Sequence, residues 1–255
     1  MIDRPPHGVE RRSRERRFLL VLGHMRSYST LLAHVLGSHP EIDGYSELHR
    51  PYQVRLDLHE MTRHIEEATG ERRRGRYALD KLLHDRLALD PVVLARPELR
   101  AVILVRRPES AIASIVRMAR SKATHMAEVD PRAAAAYYAE RLRSLDRYGA
   151  ALGPRGAFVE AERLIDDTDA VLSRLTRWLE LDSPLSPSYR LFPRSGAVGH
   201  GDPSPRILAG TVLRDAGRGA GDDSPVDVPE DAMRAAVDAW RDVVPNLRAR
   251  LGNAG

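Results

Sequence analysis

The stretch Phe18–Pro40, FLLVLGHMRSYSTLLAHVLGSHP, decides the fold. An apolar run from Phe18 to Leu22 stops at Gly23, Arg26 and a knot of hydroxyls follow, and from Thr30 to Leu36 the apolar spacing is that of a helix ending near Gly37. A buried strand that feeds a helix through such a turn is a phosphate-binding arrangement. The first-turn N–H groups of a helix lack intrahelical acceptors and sit at the positive end of its dipole. Against the Walker A template G-x-x-x-x-G-K-[ST], Gly23–Thr30 reads GHMRSYST, with Tyr28 at the second glycine and Ser29 at the lysine. The turn keeps Arg26, Ser27, Ser29 and Thr30 but lacks the cation that holds the outer phosphates of ATP.

Outward from the turn, helix and strand signals alternate. Leu58, Met61, Ile65 and Ala68 share one face of a helix over Leu56–Ala68, and Tyr77–Leu79 is a short strand ending at Asp80 and Lys81. Ala101–Val105, AVILV, is the clearest central strand because its apolar character is continuous rather than alternating. Pro108 admits only a turn or a first helical position, so a helix runs from Glu109 to about Arg120. Asp130 and Pro131 open a long helix to about Leu152 as cap and first residue. Ala157–Val159 is a strand and Asp169–Leu181 a helix with Val171, Leu175 and Trp178 on one side. Residues 184–229 are rich in Pro, Gly, Ser and Asp, the composition of a loop-rich lid over a cofactor or substrate. A last helix over 230–251 carries Met233, Val237, Trp240 and Val244 as its buried stripe. This order predicts one α/β domain, residues 17–255, with a central parallel sheet flanked by helices, behind a flexible basic arm at 1–16.

Composition narrows the function. The 255 residues are 42% apolar and hold no cysteine, which excludes disulfides, thiolate metal sites and a cysteine nucleophile. The apolar runs are far shorter than the ~20 residues of a membrane span, and no signal-peptide pattern is visible, so a cytoplasmic protein is expected. The net charge of +4 rests on arginine, with Lys81 and Lys122 the only lysines. Arginine suits bidentate capture of phosphate or sulfate. The runs Arg11–Arg17 and Arg72–Arg76 hold no interleaved aromatic residues, so they read as a solvated tail and a surface loop rather than a nucleic-acid site. HEMTRH, His59–His64, has i, i+5 spacing where a zinc helix needs i, i+4, and no metal is expected.

A second anion site follows the central strand in VRRPESAIASIVR, where Arg106 leaves the strand's carboxyl end and Ser114 lies in the next helix. Ligands of open α/β sheets gather at the carboxyl ends of strands, so Arg106 should share a crevice with the first turn. Two anion sites on one crevice imply a ligand with two phosphate groups. In this layout the sequence resembles the sulfotransferases that use 3′-phosphoadenosine 5′-phosphosulfate (PAPS), from Phe18 to about Gly210, closest to their bacterial, tyrosylprotein and carbohydrate-type branches. Arg26-Ser27-Tyr28-Ser29-Thr30-Leu31-Leu32 with His39-Pro40 is similar to the family's 5′-phosphosulfate loop. Val105-Arg106-Arg107-Pro108 with Ser114 is similar to its 3′-phosphate motif. VEAERLIDD, Val159–Asp167, resembles a late family segment, and GHGDPSPRI, Gly199–Ile207, resembles its glycine-containing cofactor loop. The resemblance implies a P-loop-like fold and binding of PAPS or its product PAP by Arg26–Thr30, Arg106, Ser114 and Gly199-His200-Gly201. Tyr28 departs from the family's glycine; a tyrosine resists positive φ, so the turn is either built differently or strained, and the ring is a candidate to face the acceptor.

The same resemblance places a base at Glu47 in DGYSELHRP, with His49 as the rival, since its unperturbed pKa lies near neutrality. Lys81 in DKLLHD stands where family members carry a lysine that, with Arg26, stabilises the departing phosphate. The acceptor is then a hydroxyl of a small metabolite, sugar or natural product. Two other readings stay open: a degenerate P-loop kinase using MgATP, kept alive by Asp80 as a magnesium ligand, and a catalytically silent nucleotide-binding protein.

Overall fold

The computed structural model describes residues 16–70, 75–121, 126–197, 201–202, 204–214 and 226–252. Most of both arginine runs, and Gly199 and His200, lie outside the described residues. In chain order the elements are β1 (Arg17–Gly23), α1 (Ser29–Gly37), β2 (Ile42–Asp43), α2 (Arg55–Thr69), β3 (Tyr77–Leu82), α3 (Pro91–Leu94) and β4 (Leu99–Val105). They continue with α4 (Pro108–Ser121), α5 (Pro131–Leu152), β5 (Gly156–Glu160), α6 (Arg163–Asp166), α7 (Thr168–Trp178) and α8 (Glu230–Leu251).

The five strands form one parallel sheet in the order β2-β3-β1-β4-β5. β1 lies between two neighbours and under helices on both faces, so its apolar run is continuous. Alternate residues part to opposite cores. Leu20 and Leu22 pack with Leu58, Ile112, Leu142 and Val243, while Leu19 and Val21 pack with Leu32, Leu36, Leu172 and Leu175. From β1 the chain passes to the β3 side and later returns past β1 to β4. The direction of winding therefore reverses beside the carboxyl ends of β1 and β4, where a crevice opens.

Local chemistry sets the element ends. The Asp130 carboxylate accepts from the Arg132 N–H at 3.1 Å, capping α5 directly ahead of Pro131. α7 ends at Trp178 rather than Leu181, because Glu180 turns to φ 56° and Arg76 donates to the Leu179 carbonyl at 2.7 Å. Arg76 is accordingly buried, not part of a solvated surface loop. β3 runs on through Asp80 and Lys81 to Leu82, and both charged residues are buried in it. In α8 the buried stripe is Ala236, Ala239, Val243, Val244, Leu247 and Leu251; Val244 is buried as expected, while Met233, Val237 and Trp240 stand at its margin. The helix approaches α5 so closely that a Cβ on Gly149 would lie 2.5 Å from the Leu247 side chain, so the missing side chain at Gly149 makes room for Leu247.

Described parts of 184–229 pack rather than dangle: Leu185, Tyr189, Phe192, Ile207 and Val212 are buried, and Ser188 bridges Thr211 in antiparallel register. Among the described residues, no helix is long and apolar enough to cross a membrane.

Candidate active site

The crevice is a cavity of about 560 Å³ whose walls include Arg26, Thr30, Arg106 and Gly201 at one end and Glu47 and His49 at the other. Its size suits a ligand rather than a water cluster. Tyr28 occupies the residue before α1 in the left-handed conformation, φ 61° and ψ 18°. The glycine geometry is therefore kept by a tyrosine, a strain of roughly 1–2 kcal/mol. The residue lines the cavity, and the Arg106 guanidinium lies over its ring, 4.5 Å from the centroid.

The basic groups converge. Arg26 Nε donates to Ser114 Oγ at 2.9 Å, and Arg106 Nη1 donates to the Arg26 carbonyl at 3.2 Å. Arg106 Nε is buried without a hydrogen-bond partner among the described residues. Burial lowers the Arg106 pKa, with the Arg26 and Arg117 charges adding to it against Tyr28 and Glu162. A site that crowds cations at the cost of their own stability favours an anion. Arg26 already holds one, the Asp202 carboxylate at 2.9 Å, whose pKa burial would raise but which Arg26 and Ser204 bring below its ordinary value. Ser27 differs from its neighbours, since its hydroxyl is buried beneath the turn rather than in the cavity wall.

Lys81 joins this basic end to the acidic one. Its Nζ, buried at 1% exposure, donates to Thr30 Oγ1 at 2.9 Å and lies 3.1 Å from Glu47 Oε1. Burial acts to raise the Glu47 pKa, but Lys81, with His49 and His84, brings it below the usual carboxylate value. His49 sits outside Glu47, half exposed, with Nδ1 3.7 Å from Oε2. Gly201 closes over Lys81 and Thr30 with φ +112°; a Cβ there would lie 2.8 Å from Thr30 Oγ1, so the position requires glycine.

Asp80 does not face the cavity as a free ligand. One oxygen accepts from the N–H groups of Leu48 (2.9 Å) and Lys81 (2.7 Å), the other from the Tyr52 hydroxyl (2.7 Å). Burial still pushes its pKa up to about 6. Its work is to pin the loop that carries Glu47 to the strand that carries Lys81, which removes the feature that favoured a magnesium site.

Four residues of the site were not singled out by sequence reasoning. Asp202 lies inside GHGDPSPRI, where a carboxylate carries no signal of anion binding. His24 lies inside GHMRSYST, at a template position with no required identity. Tyr137 and Tyr138 come from α5; Tyr137 accepts the Met25 N–H at 2.9 Å and donates to the Leu83 carbonyl at 2.8 Å. Nothing in their local sequence marks them.

A doubly wound parallel sheet with clustered arginines and a buried Lys–Glu pair at its switch point is the layout of the P-loop-like folds. A profile of the sulfotransferase family matches residues 52–184, just over half of the chain. The chain belongs to the sulfotransferase family. That match begins beyond the phosphate turn and includes Lys81, Arg106 and Ser114, so it is independent of the GHMRSYST reading. Among solved structures, the sulfotransferase domain from the curacin biosynthetic pathway aligns with 89% of this chain and 98% of its own, at 21% identity and a TM-score of 0.61. The sulfotransferase domain of the Synechococcus PCC 7002 olefin synthase aligns with 91% and 97%, at 18% identity and a TM-score of 0.56. Both show the fold. No curated protein matches the chain.

Proposed function

We propose that the protein moves a sulfuryl group from PAPS to a hydroxyl of a small-molecule, sugar or natural-product acceptor, with Glu47 as the base. The observation that carries this is Lys81, buried between Thr30 of the phosphate turn at 2.9 Å and Glu47 at 3.1 Å. One cation thereby touches both the loop that would hold the leaving phosphate and the carboxylate that would take the acceptor's proton.

PAPS supplies an S–O bond whose cleavage releases PAP. Arg26 and the first-turn N–H groups of Ser29 and Thr30 hold the 5′ end, with Arg26 exchanging the Asp202 carboxylate for the donor's anion. Arg106 and Ser114 take the 3′-phosphate. The adenine suits the adjoining apolar cavity of Tyr28, Leu31, Ile165 and Ile207. Glu47 removes the acceptor hydroxyl proton as the acceptor oxygen bonds to sulfur. The electron pair of the breaking bond stays on the phosphate oxygen, where Lys81 and Arg26 balance the growing charge.

Titration separates this from a kinase. Adenosine 3′,5′-bisphosphate is expected to bind more tightly than MgATP, and Arg106→Ala to weaken it by roughly one to two orders of magnitude, the loss of charge-assisted hydrogen bonds. Tighter binding of MgATP, or an Arg106→Ala variant with full bisphosphate affinity, overturns the donor assignment.

A further inference from the structure

Beneath the crevice lies a histidine that is completely buried and makes hydrogen bonds through both ring nitrogens. His24 Nε2 accepts from the Arg106 N–H at 3.0 Å, which leaves the ring proton on Nδ1, donated to the Met25 carbonyl at 2.8 Å. The Tyr138 hydroxyl donates to the Arg106 carbonyl at 2.6 Å, and its ring meets that of His24 edge-on, 4.7 Å between centroids. We propose that His24 and Tyr138 are positioning residues that fix Arg106 for the 3′-phosphate of the donor, an inference that rests on the sulfotransferase reading above.

Arg106 is the first residue beyond β4, where sheet pairing ends. The carbonyl before it, of Val105, still pairs with the Ala161 N–H at 2.8 Å, and the N–H after it, of Arg107, is taken by Glu162 at 3.0 Å. Between those anchors, among the described residues, the Arg106 peptide groups are held by side chains. With Tyr138 on one side and His24 on the other, the backbone of a cavity-lining arginine is held from β1 and from α5 at once. The guanidinium gains two further supports, the Tyr28 ring and the Arg26 carbonyl.

Packing does not explain this pair. Burying a histidine that an aliphatic residue could replace in volume carries a desolvation cost that only its hydrogen bonds offset. The bonds it makes tie the loop after β1, which holds the 5′ end, to the loop after β4, which holds the 3′-phosphate. His24 thus sets the separation of the two anion grips, and Tyr138 sets the direction in which Arg106 leaves the strand.

The test compares adenosine 3′,5′-bisphosphate with adenosine 5′-monophosphate by calorimetry, since the ratio of their dissociation constants isolates the 3′-phosphate. The wild type should strongly prefer the bisphosphate. Tyr138→Phe, which keeps the ring, should reduce that preference roughly five- to tenfold by weakening the bisphosphate while leaving the monophosphate within about twofold. His24→Leu should do the same or more, and His24→Gln, whose amide oxygen reaches the place of Nε2, should recover most of the preference. A wild type with no preference between the two nucleotides defeats the donor assignment itself. A wild type that prefers the bisphosphate, with a Tyr138→Phe ratio unchanged or with both nucleotides weakened equally, overturns the positioning role and leaves the donor assignment standing.

Discussion

Lys81→Met should slow sulfuryl transfer by about two to three orders of magnitude, the usual consequence of removing one preorganised donor to a developing oxyanion. Methionine keeps the length and the burial and deletes only the charge. The loss has two parts. The leaving phosphate loses the cation that also touches Thr30, and Glu47, of which 7% is exposed, loses the ion pair that holds its pKa down. With only His49 and His84 left to oppose burial, the Glu47 pKa rises, so the acid limb of the pH–rate profile should move to higher pH. Protonation of Glu47 also limits the stability cost, which for a buried pair broken on one side otherwise reaches roughly 3–5 kcal/mol. Release of the bisphosphate product from PAPS with pooled hydroxyl acceptors measures the rate, and thermal melting at two pH values measures the rest. A variant within about threefold of the wild-type rate, or with an unmoved acid limb, would remove Lys81 from the chemistry. Glu47→Gln is the companion: it should lose transfer and keep bisphosphate affinity.

That pair also marks how far the sequence could be read. β1, the turn into α1 and α5 were legible because their signals are local: a continuous apolar run ended by glycine, hydroxyls ahead of a helical spacing, an Asp-Pro cap. β3 was legible only to Leu79. Two charged residues in a row look like a strand's end, yet here they are its buried core. The groups that make this possible are far off in sequence: Tyr52 and Leu48 for Asp80, Glu47 and Thr30 for Lys81. A burial that depends on pairing across the fold leaves no trace in a local pattern. The α8 stripe shows a related limit: Val244 is buried as its spacing indicates, while Met233, Val237 and Trp240 lie at the edge of the face. A local pattern favours large apolar residues over Ala236 and Ala239, yet both are buried, and in the facing helix it is the missing side chain of Gly149 that makes room for Leu247.

Tyr28 and Asp202 show the other limit, where a motif fixes backbone shape but not side-chain duty. The left-handed turn survives the loss of glycine because the Tyr28 ring is held under Arg106. A stacked cation of roughly 1 kcal/mol or more sets against the strain. Asp202 follows the glycine that packs on Thr30, and its carboxylate pairs with Arg26. Neither contact follows from the letters of the motif, because each depends on which segment crosses the carboxyl ends of β1 and β4.

Acid should destabilise the protein well before the ordinary carboxylate range, and the sign can be worked out from buried groups. His24 and His34 each have a pKa brought down from 6.5 to about 4, by burial first. His34 donates from Nδ1 to the Thr30 carbonyl at 2.9 Å and accepts from Ser195 at 2.8 Å, inside a ring of Tyr45, Tyr189 and Phe192. A histidine held neutral binds its proton more readily in the unfolded chain. The stability it contributes is complete above pH 6.5 and is lost as pH falls towards 4, about 3 kcal/mol for each group. Asp80 acts in the opposite sense: raised from 3.8 to about 6, its contribution is present at low pH and lost as pH rises through 6. One carboxyl therefore offsets roughly one histidine, and the second histidine remains uncompensated. Glu47 and Asp202, both lowered, add their own losses towards the bottom of the range. Melting temperature should fall steadily from pH 7 to 4.5. His34→Phe, which fills the aromatic ring but cannot titrate, should start less stable at neutral pH and show a shallower decline. A melting temperature that is flat or rising towards pH 4.5, or a His34→Phe slope equal to the wild type's, would mean that these histidines carry their protons in the folded state.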